Sequence, residues 1–365
     1  MPRAAPVPVE REVRLLDLPT HESLRAAHDL TDTGAAVSSG RRLVVVGLRD
    51  ADRNVGWGEC SALNAPTYSP EWADDAFAVL ADSDRLDPAA HPMAAAAEEM
   101  ARLDLALRVG GRSLVAHLAD GRPTVDRLPM AAVVGLPAAT AGRPASVDDL
   151  VGDVGRRVDA GARRVKLKVV PGWLGGPVRA VTDAFADLEV QVDANGSLGP
   201  DDLDELAGVA DRLSAIEQPF TDVDLTRRLA GSCPTPILFD EGTPTAADIR
   251  SLVDADLGLG VVLKPPRLGG LGAAAEVLAW CAERGVPTAA GGMLECGLGR
   301  HALAAFAALP GLTITGDVSP ARQWLAADPW PDLAVTDGEI VVPGEPGVAP
   351  IPDLDELDRL TVARY

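Results

Sequence analysis

VKLKV, Val165–Val169, decides how the rest of the chain is read. Side chains on a strand alternate faces with a period of two, so Lys166 and Lys168 point one way and Val165, Leu167 and Val169 the other. Three acidic strand ends follow: VDAN with Asp193, IEQP with Glu217 and FDEG with Asp240, and then VLKPP with Lys264. The steps from 166 to 193, 217, 240 and 264 run between 23 and 27 residues. That is close to the length of one strand–helix unit, so each polar residue recurs at the same height in successive units.

Working outward, strand-like runs occur at Ala131–Val134, Arg164–Val169, Leu188–Asp193, Ala215–Gln218, Ile237–Asp240, Gly260–Lys264, Pro287–Ala290 and Leu312–Thr315. Helical segments lie between them, among them Asp201–Arg212, Ala246–Asp254 and Ala273–Arg284. Eight parallel strands alternating with helices make an α/β chain with a TIM-type (β/α)8 barrel. A doubly wound open sheet would carry a glycine-rich phosphate turn after its first strand. PGWLGGP, after Lys168, does not match one, and Gly269–Gly272 (GGLG) follows the sixth strand instead.

Residues 1–130 lack this cadence. Arg14–Leu18, Arg42–Leu48 and Val55–Glu59 read as strands, the last two joined by the turn RDADRN. Glu71–Leu80 and Met93–Val109 read as helices, the second with Met93, Ala97, Met100, Leu103 and Leu107 at helical spacing. The economical division is a small α+β domain over 1–128 and a barrel over 129–320. A C-terminal segment, 321–365, returns to the first domain. Two long polar loops, Thr20–Gly40 and Cys60–Pro70, have the length of functional lids or of disordered connections.

The 365 residues are 47% hydrophobic and 24% charged, a globular balance. With 54 acidic residues against 33 basic, the formal charge is −21, which argues against a nucleic-acid or anionic-membrane partner. The N-terminal stretch has no signal-peptide core, and no apolar run reaches membrane-spanning length. Cys60, Cys233, Cys281 and Cys296 are scattered without a C-x-x-C pair, as reduced thiols of a cytoplasmic protein would be.

In such a barrel the chemistry sits at the carboxyl ends of the strands. Asp193, Glu217 and Asp240 would converge there and repel one another unless a cation lay between them. Oxygen-only ligands select a hard ion, Mg²⁺ first and Mn²⁺ second. Each acid taken singly reads as a helix cap or a solvated turn; three at matched spacing on successive strands turn the balance toward a shared site. Lysines on the second and sixth strands face each other across the ring. With a cation between them the set suits removal of a proton next to a carboxylate, through an enediolate.

The ordered set K-x-K, DAN, EQP, DE and K-P resembles the enolase superfamily in its muconate-lactonizing subgroup. GWGECSALNAPTYSPE (Gly56–Glu71), VKLKVVPGW (Val165–Trp173), GGMLECGLGR (Gly291–Arg300), PGLTITGDVSPARQW (Pro310–Trp324) and the VPGEPGVAPIPD tail resemble the o-succinylbenzoate synthase / N-succinylamino acid racemase family. The resemblance spans nearly the whole chain. It implies a capping domain over a modified (β/α)7β barrel, a required Mg²⁺ on Asp193, Glu217 and Asp240, Lys168 as acid/base, Lys166 in support and Lys264 opposite. Candidate substrate contacts are Asn195, Glu241, Arg267, Glu295, Tyr68 and Met293. The partner it implies is a small carboxylate; like copies can also be expected to assemble.

The activity implied is o-succinylbenzoate synthase, a syn dehydration belonging to menaquinone synthesis. The alternative is racemisation of an N-acylamino acid or epimerisation of a dipeptide. More distant are a muconate-type cycloisomerase, an idle binding barrel and a Schiff-base aldolase, which needs no three carboxylates. One departure stands out: Thr20–Arg41, with His21 and His28, is longer and more polar than the family's apolar loop.

Overall fold

The computed structural model describes residues 6–21, 40–82, 85–136 and 146–365. Most of the Thr20–Gly40 loop, with His28, therefore lies outside the described residues. His21, at its edge, is exposed and donates its amide to Trp324 O at 2.8 Å.

Strands β1 (Pro8–Pro19), β2 (Gly40–Asp50) and β3 (Val55–Cys60) form an antiparallel sheet. The Asp-rich turn between β2 and β3 pins itself: Asp50 accepts from the Asn54 amide and side chain, each at 2.8 Å. Leu43–Val46, β-branched apart from the leucine, are fully buried. Helices α1 (Ala73–Ala81), α2 (Pro92–Gly110) and α3 (Leu114–Ala119) follow. Glu71, read as the start of α1, instead accepts from the amides of Met93 and Ala94 at 2.8 Å and so caps α2.

The barrel begins after β4 (Arg127–Pro129). In order it contains β5 (Ala131–Val134), α4 (Val147–Asp159), β6 (Arg164–Lys168), α5 (Gly175–Ala184), β7 (Glu189–Asp193), α6 (Leu203–Ala207), β8 (Ala215–Glu217), α7 (Val223–Ala230), β9 (Ile237–Phe239), α8 (Ala246–Asp254), β10 (Gly260–Leu263), α9 (Leu271–Ala282), β11 (Thr288–Ala290) and α10 (Gly297–Ala307). The seven strands β5 to β11 lie side by side in chain order and all parallel.

Two expectations fail in instructive ways. Leu312–Thr315 is not an eighth strand. Flanked by Gly311 and Gly316, it sends the amides of both Thr313 and Ile314 to the one carbonyl of Thr288, each at 3.0 Å. Asp317 N then reaches Ala290 O and Ala131 N reaches Val318 O, both at 2.9 Å, so an irregular segment bridges β11 and β5. This is the modified barrel. Asp201–Arg212 is likewise not one helix: Gly208 ends α6, and 3₁₀ turns lie on either side at Pro200–Asp202 and Ala210–Arg212.

The tail adds β12 (Val335–Thr336) and β13 (Glu339–Val341), which pair in an antiparallel sheet with β4. Helix α11 (Leu354–Leu360) leads into β14 (Thr361–Arg364), which joins the N-terminal sheet beside β1. Among the described residues no helix is long and apolar enough to cross a membrane.

Candidate active site

Register places the polar residues. Lys168 lies beside Asp193, and Asp193 beside Glu217, at the carboxyl ends of β6, β7 and β8. Asp240 follows β9 and Lys264 follows β10. All five are nearly or fully buried, as a barrel interior demands, so each charge needs a partner.

The partners are one another. Lys168 Nζ donates to Asp193 Oδ2 at 2.6 Å and to Asn195 Oδ1 at 3.0 Å. Lys166 Nζ donates to both oxygens of Glu217 at 3.0 Å and to Asp317 Oδ2 at 2.5 Å. Across the row, Lys264 Nζ donates to Asp240 Oδ2 at 2.7 Å and to the Tyr68 hydroxyl at 3.0 Å, and stands 4.4 Å from the centre of the Tyr68 ring. Arg267 donates to Asp240 Oδ1 at 2.6 Å and also to the Tyr68 hydroxyl. The loop Cys60–Pro70 thus delivers Tyr68 to the barrel mouth. Asn195 Nδ2 donates to Glu241 Oε1 at 2.8 Å, while the buried Glu241 Oε2 has no partner.

Electrostatics follow from this pairing. Burial pushes Glu217 up to about 8; Lys166 opposes that, and the charges of Asp193, Asp317 and Asp240 reinforce it. Burial also acts against the charged form of Asp193, but Lys168 and Lys166 outweigh it and the carboxyl stands below its ordinary value. For Asp240, Lys264 and Arg267 do the same. Lys166 and Lys264 are held above the usual lysine range: burial favours neutrality, but the carboxylates around each win.

Of the expected residues, Lys166, Lys168, Asp193, Asn195, Glu217, Asp240, Glu241, Lys264, Arg267 and Tyr68 lie in this set of bonds. Glu295 and Met293 lie apart from it. Glu295, a candidate substrate contact, is buried, accepts from Met293 N at 2.8 Å and sits 2.9 Å from an Arg300 nitrogen. Met293 packs in the apolar cluster of the N-terminal sheet. Cys296 donates its thiol to Glu59 at 3.0 Å, and burial holds it protonated, which fits no nucleophile. All four cysteines are free.

Four participants went unnoticed in the sequence. Arg164, Gln191 and Asp317 bind the Lys166 side: Arg164 donates to Asp317 Oδ1 at 2.7 Å and to Gln191, and Gln191 donates to Glu217 Oε2 at 2.9 Å. Carrying the period of two back one step from Lys166 and from Asp193 would have found Arg164 and Gln191. Gln218 accepts from the amides of Asp240 and Gly242 at 2.9 Å. Its φ is +37°; with Asn195 at +47° and Leu294 at +57°, it places backbone strain just past three barrel strands, where function concentrates it.

Residues 149–355 match the family model described as enolase C-terminal domain-like. The chain belongs to the enolase superfamily. Within it, the chain is 38% identical over 337 residues to an N-succinylamino acid racemase of Amycolatopsis sp, an alignment covering 85% of this chain and 87% of that protein. To an o-succinylbenzoate synthase of Geobacillus stearothermophilus it is 32% identical over 347 residues, covering 89% and 88%. A solved structure described as a probable mandelate racemase from Alicyclobacillus acidocaldarius superposes with a TM-score of 0.81 at 32% identity, covering 97% of each chain. The chain is an enzyme of this superfamily, whose relatives here are lyases and isomerases.

Superfamily enzymes are in general divalent-metal dependent. The donor set here fits such an ion: three buried carboxylates that repel one another, with no sulfur or imidazole among them. Among the described residues, no three such side chains close on one point as a finished cage. The ammonium groups of Lys168, Lys166 and Lys264 engage the carboxylate oxygens instead.

Proposed function

We propose that the enzyme removes the proton α to a substrate carboxylate, with Lys168 as the base. Asp193, Glu217 and Asp240 would hold the metal, Mg²⁺ in this reading and Mn²⁺ as the alternative. When bound, the cation supplies electrophilic stabilisation to charge building on the substrate carboxylate. Lys168 donates to Asn195 as well as to Asp193, so Asn195 would orient it while a cation occupied the carboxylates. Lys166, still tied to Asp317, stays charged. Lys264, on Tyr68 and opposite Lys168, supplies fixed positive charge or a second proton-transfer group.

The observation that carries this reading is the placement of two lysines on opposite flanks of one carboxylate row, Lys168 on Asp193 and Lys264 on Asp240. The reaction we assign is o-succinylbenzoate synthesis. Lys168 takes the α-proton and returns it to the hydroxyl that leaves as water from the same face, while Lys264, held by Asp240 and Tyr68, acts through its charge. The relative at 38% identity supports a second reading, racemisation of an N-succinylamino acid, in which both lysines exchange protons on opposite faces. Both substrates carry a succinyl group.

A panel of the synthase precursor, N-succinylamino acids and dipeptides, each with and without Mg²⁺, tests the assignment. Synthase turnover requiring Mg²⁺ is the expected result; turnover of dipeptides alone would overturn it. Replacing Lys264 with methionine separates the readings. Full racemase turnover in that variant removes the two-base mechanism.

A further inference from the structure

Among the described residues, three of the seven barrel helices supply their own N-terminal side-chain caps. Ser146 and Asp149 form a capping box on α4, Thr245 and Asp248 one on α8, and Asp222 caps α7. Helices α9 and α10 do not: Gly270 and Cys296 stand at their cap positions and make no side-chain cap. Their first amides are nonetheless satisfied, by carboxylates from the N-terminal part of the chain. Glu99 of α2 accepts from Gly272 N at 3.1 Å and Leu271 N at 3.4 Å. Glu59 of β3 accepts from Gly299 N at 2.8 Å and Cys296 N at 3.2 Å. Helix α5 also lacks a cap of its own, but Glu205 of α6 serves it from within the barrel.

The two helices that borrow caps across the molecule follow the segments carrying Lys264 and Glu295. Lys264–Gly270 is one tightly wound turn, closed by Leu268 N on Lys264 O at 3.1 Å and Gly270 N on Pro265 O at 3.0 Å. Lys264 and Arg267 tie its upstream end to Asp240 and Tyr68; Glu99 ties its downstream end. Gly270 has φ +138°, and a Cβ there would lie 3.0 Å from the Glu99 carboxyl, so glycine admits both the conformation and the approach. The second segment is gripped in the same way. Arg41 donates to Met293 O and Leu294 O, both at 3.1 Å, and to Ser61 O at 2.6 Å and Ala62 O at 2.7 Å.

We infer that Glu99 is a positioning residue for the reaction: by capping α9 from the N-terminal side it fixes the Lys264–Gly270 turn, and so the place of the Lys264 ammonium. Glu59 and Arg41 anchor the segment that carries Glu295 by the same kind of contact. The inference rests on the role proposed for Lys264.

Hydrogen exchange and kinetics of Glu99→Ala and Glu99→Gln against the unaltered enzyme test it. Exchange should quicken across 264–270 as well as at 271–274. In Glu99→Ala, kcat should fall about tenfold with KM changed less than about twofold, and Glu99→Gln, which keeps an acceptor, should recover most of that loss. Faster exchange confined to 271–274, or kcat falling only in step with the folded fraction, would overturn the inference. If Glu99→Ala does not fold, Glu99→Met, which keeps the length but not the acceptor, carries both measurements, and unchanged exchange at 264–270 overturns it. An unaltered enzyme inactive on every substrate would sink the proposed function, while the exchange data would still decide this point.

Discussion

Lys166 Nζ and Asp317 Oδ2 stand 2.5 Å apart although 151 residues separate them in sequence. Asp317 lies on the irregular segment bridging β11 and β5, so the stretch that failed to form an eighth strand delivers the counter-ion of a central lysine. The same carboxylate holds Arg164 at 2.7 Å. Removing its charge leaves two buried cations short of a partner. Asp317→Asn should lower unfolding free energy by about 3 kcal/mol and depress kcat in the fraction that stays folded. Denaturant titration beside steady-state assays measures both; an unchanged midpoint would show that the pair is not structural.

The barrel and the cluster of lysines and carboxylates in the candidate site were legible in the sequence because both rest on periodicity. A period of two put Lys166 and Lys168 on one face, and the near-constant step placed Asp193, Glu217, Asp240 and Lys264 at one height. What it concealed depends on tertiary contact. Asp317 has no strand around it to mark its height. Glu295 reads as a candidate substrate contact, and only the fold shows Arg300 and Met293 N holding it inside. Glu99 and Glu59 read as ordinary helix and strand residues, because a cap supplied across the molecule leaves no local pattern.

Gly291 sits where a side chain has no room. A Cβ there would meet Lys264 Cε at 2.8 Å and a methyl of Val262. Gly291→Ala should displace the ammonium of Lys264 and cost about 1–3 kcal/mol of stability by overpacking. Turnover should fall more than the stability loss alone explains. Activity measured well below the melting temperature separates the two effects.

Glu59 gives a stability profile whose sign is fixed. Burial raises its carboxyl from 4.5 to about 7, with Glu295 adding to the rise and the donors Cys296, Gly299 and Ser61 opposing it. Between those values the folded form binds more protons than the unfolded, so this contribution is fully present below about 4.5 and is lost as pH climbs through 7. Its size is on the order of 3 kcal/mol at most. Melting temperatures from pH 4.5 to 7.5 should decline less steeply in Glu59→Gln; parallel curves would show that Glu59 does not titrate there.

Binding of a divalent ion by Asp193, Glu217 and Asp240 should stabilise the fold by mass action. Mg²⁺ should raise the melting temperature of chelator-treated protein and restore its activity. Asp240→Asn should abolish the shift in temperature as well as the activity. A full thermal shift in that variant would place the ion elsewhere.

The claim that Lys168 removes the α-proton is tested most directly by proton NMR of the synthase precursor with Mg²⁺. Loss of the α-proton signal is followed with the unaltered enzyme and with Lys168→Met, both checked for fold. Loss of the signal is expected with the unaltered enzyme, at a rate lower by roughly 10²–10⁴-fold in the variant. Loss at the unaltered rate in Lys168→Met would contradict the role of Lys168.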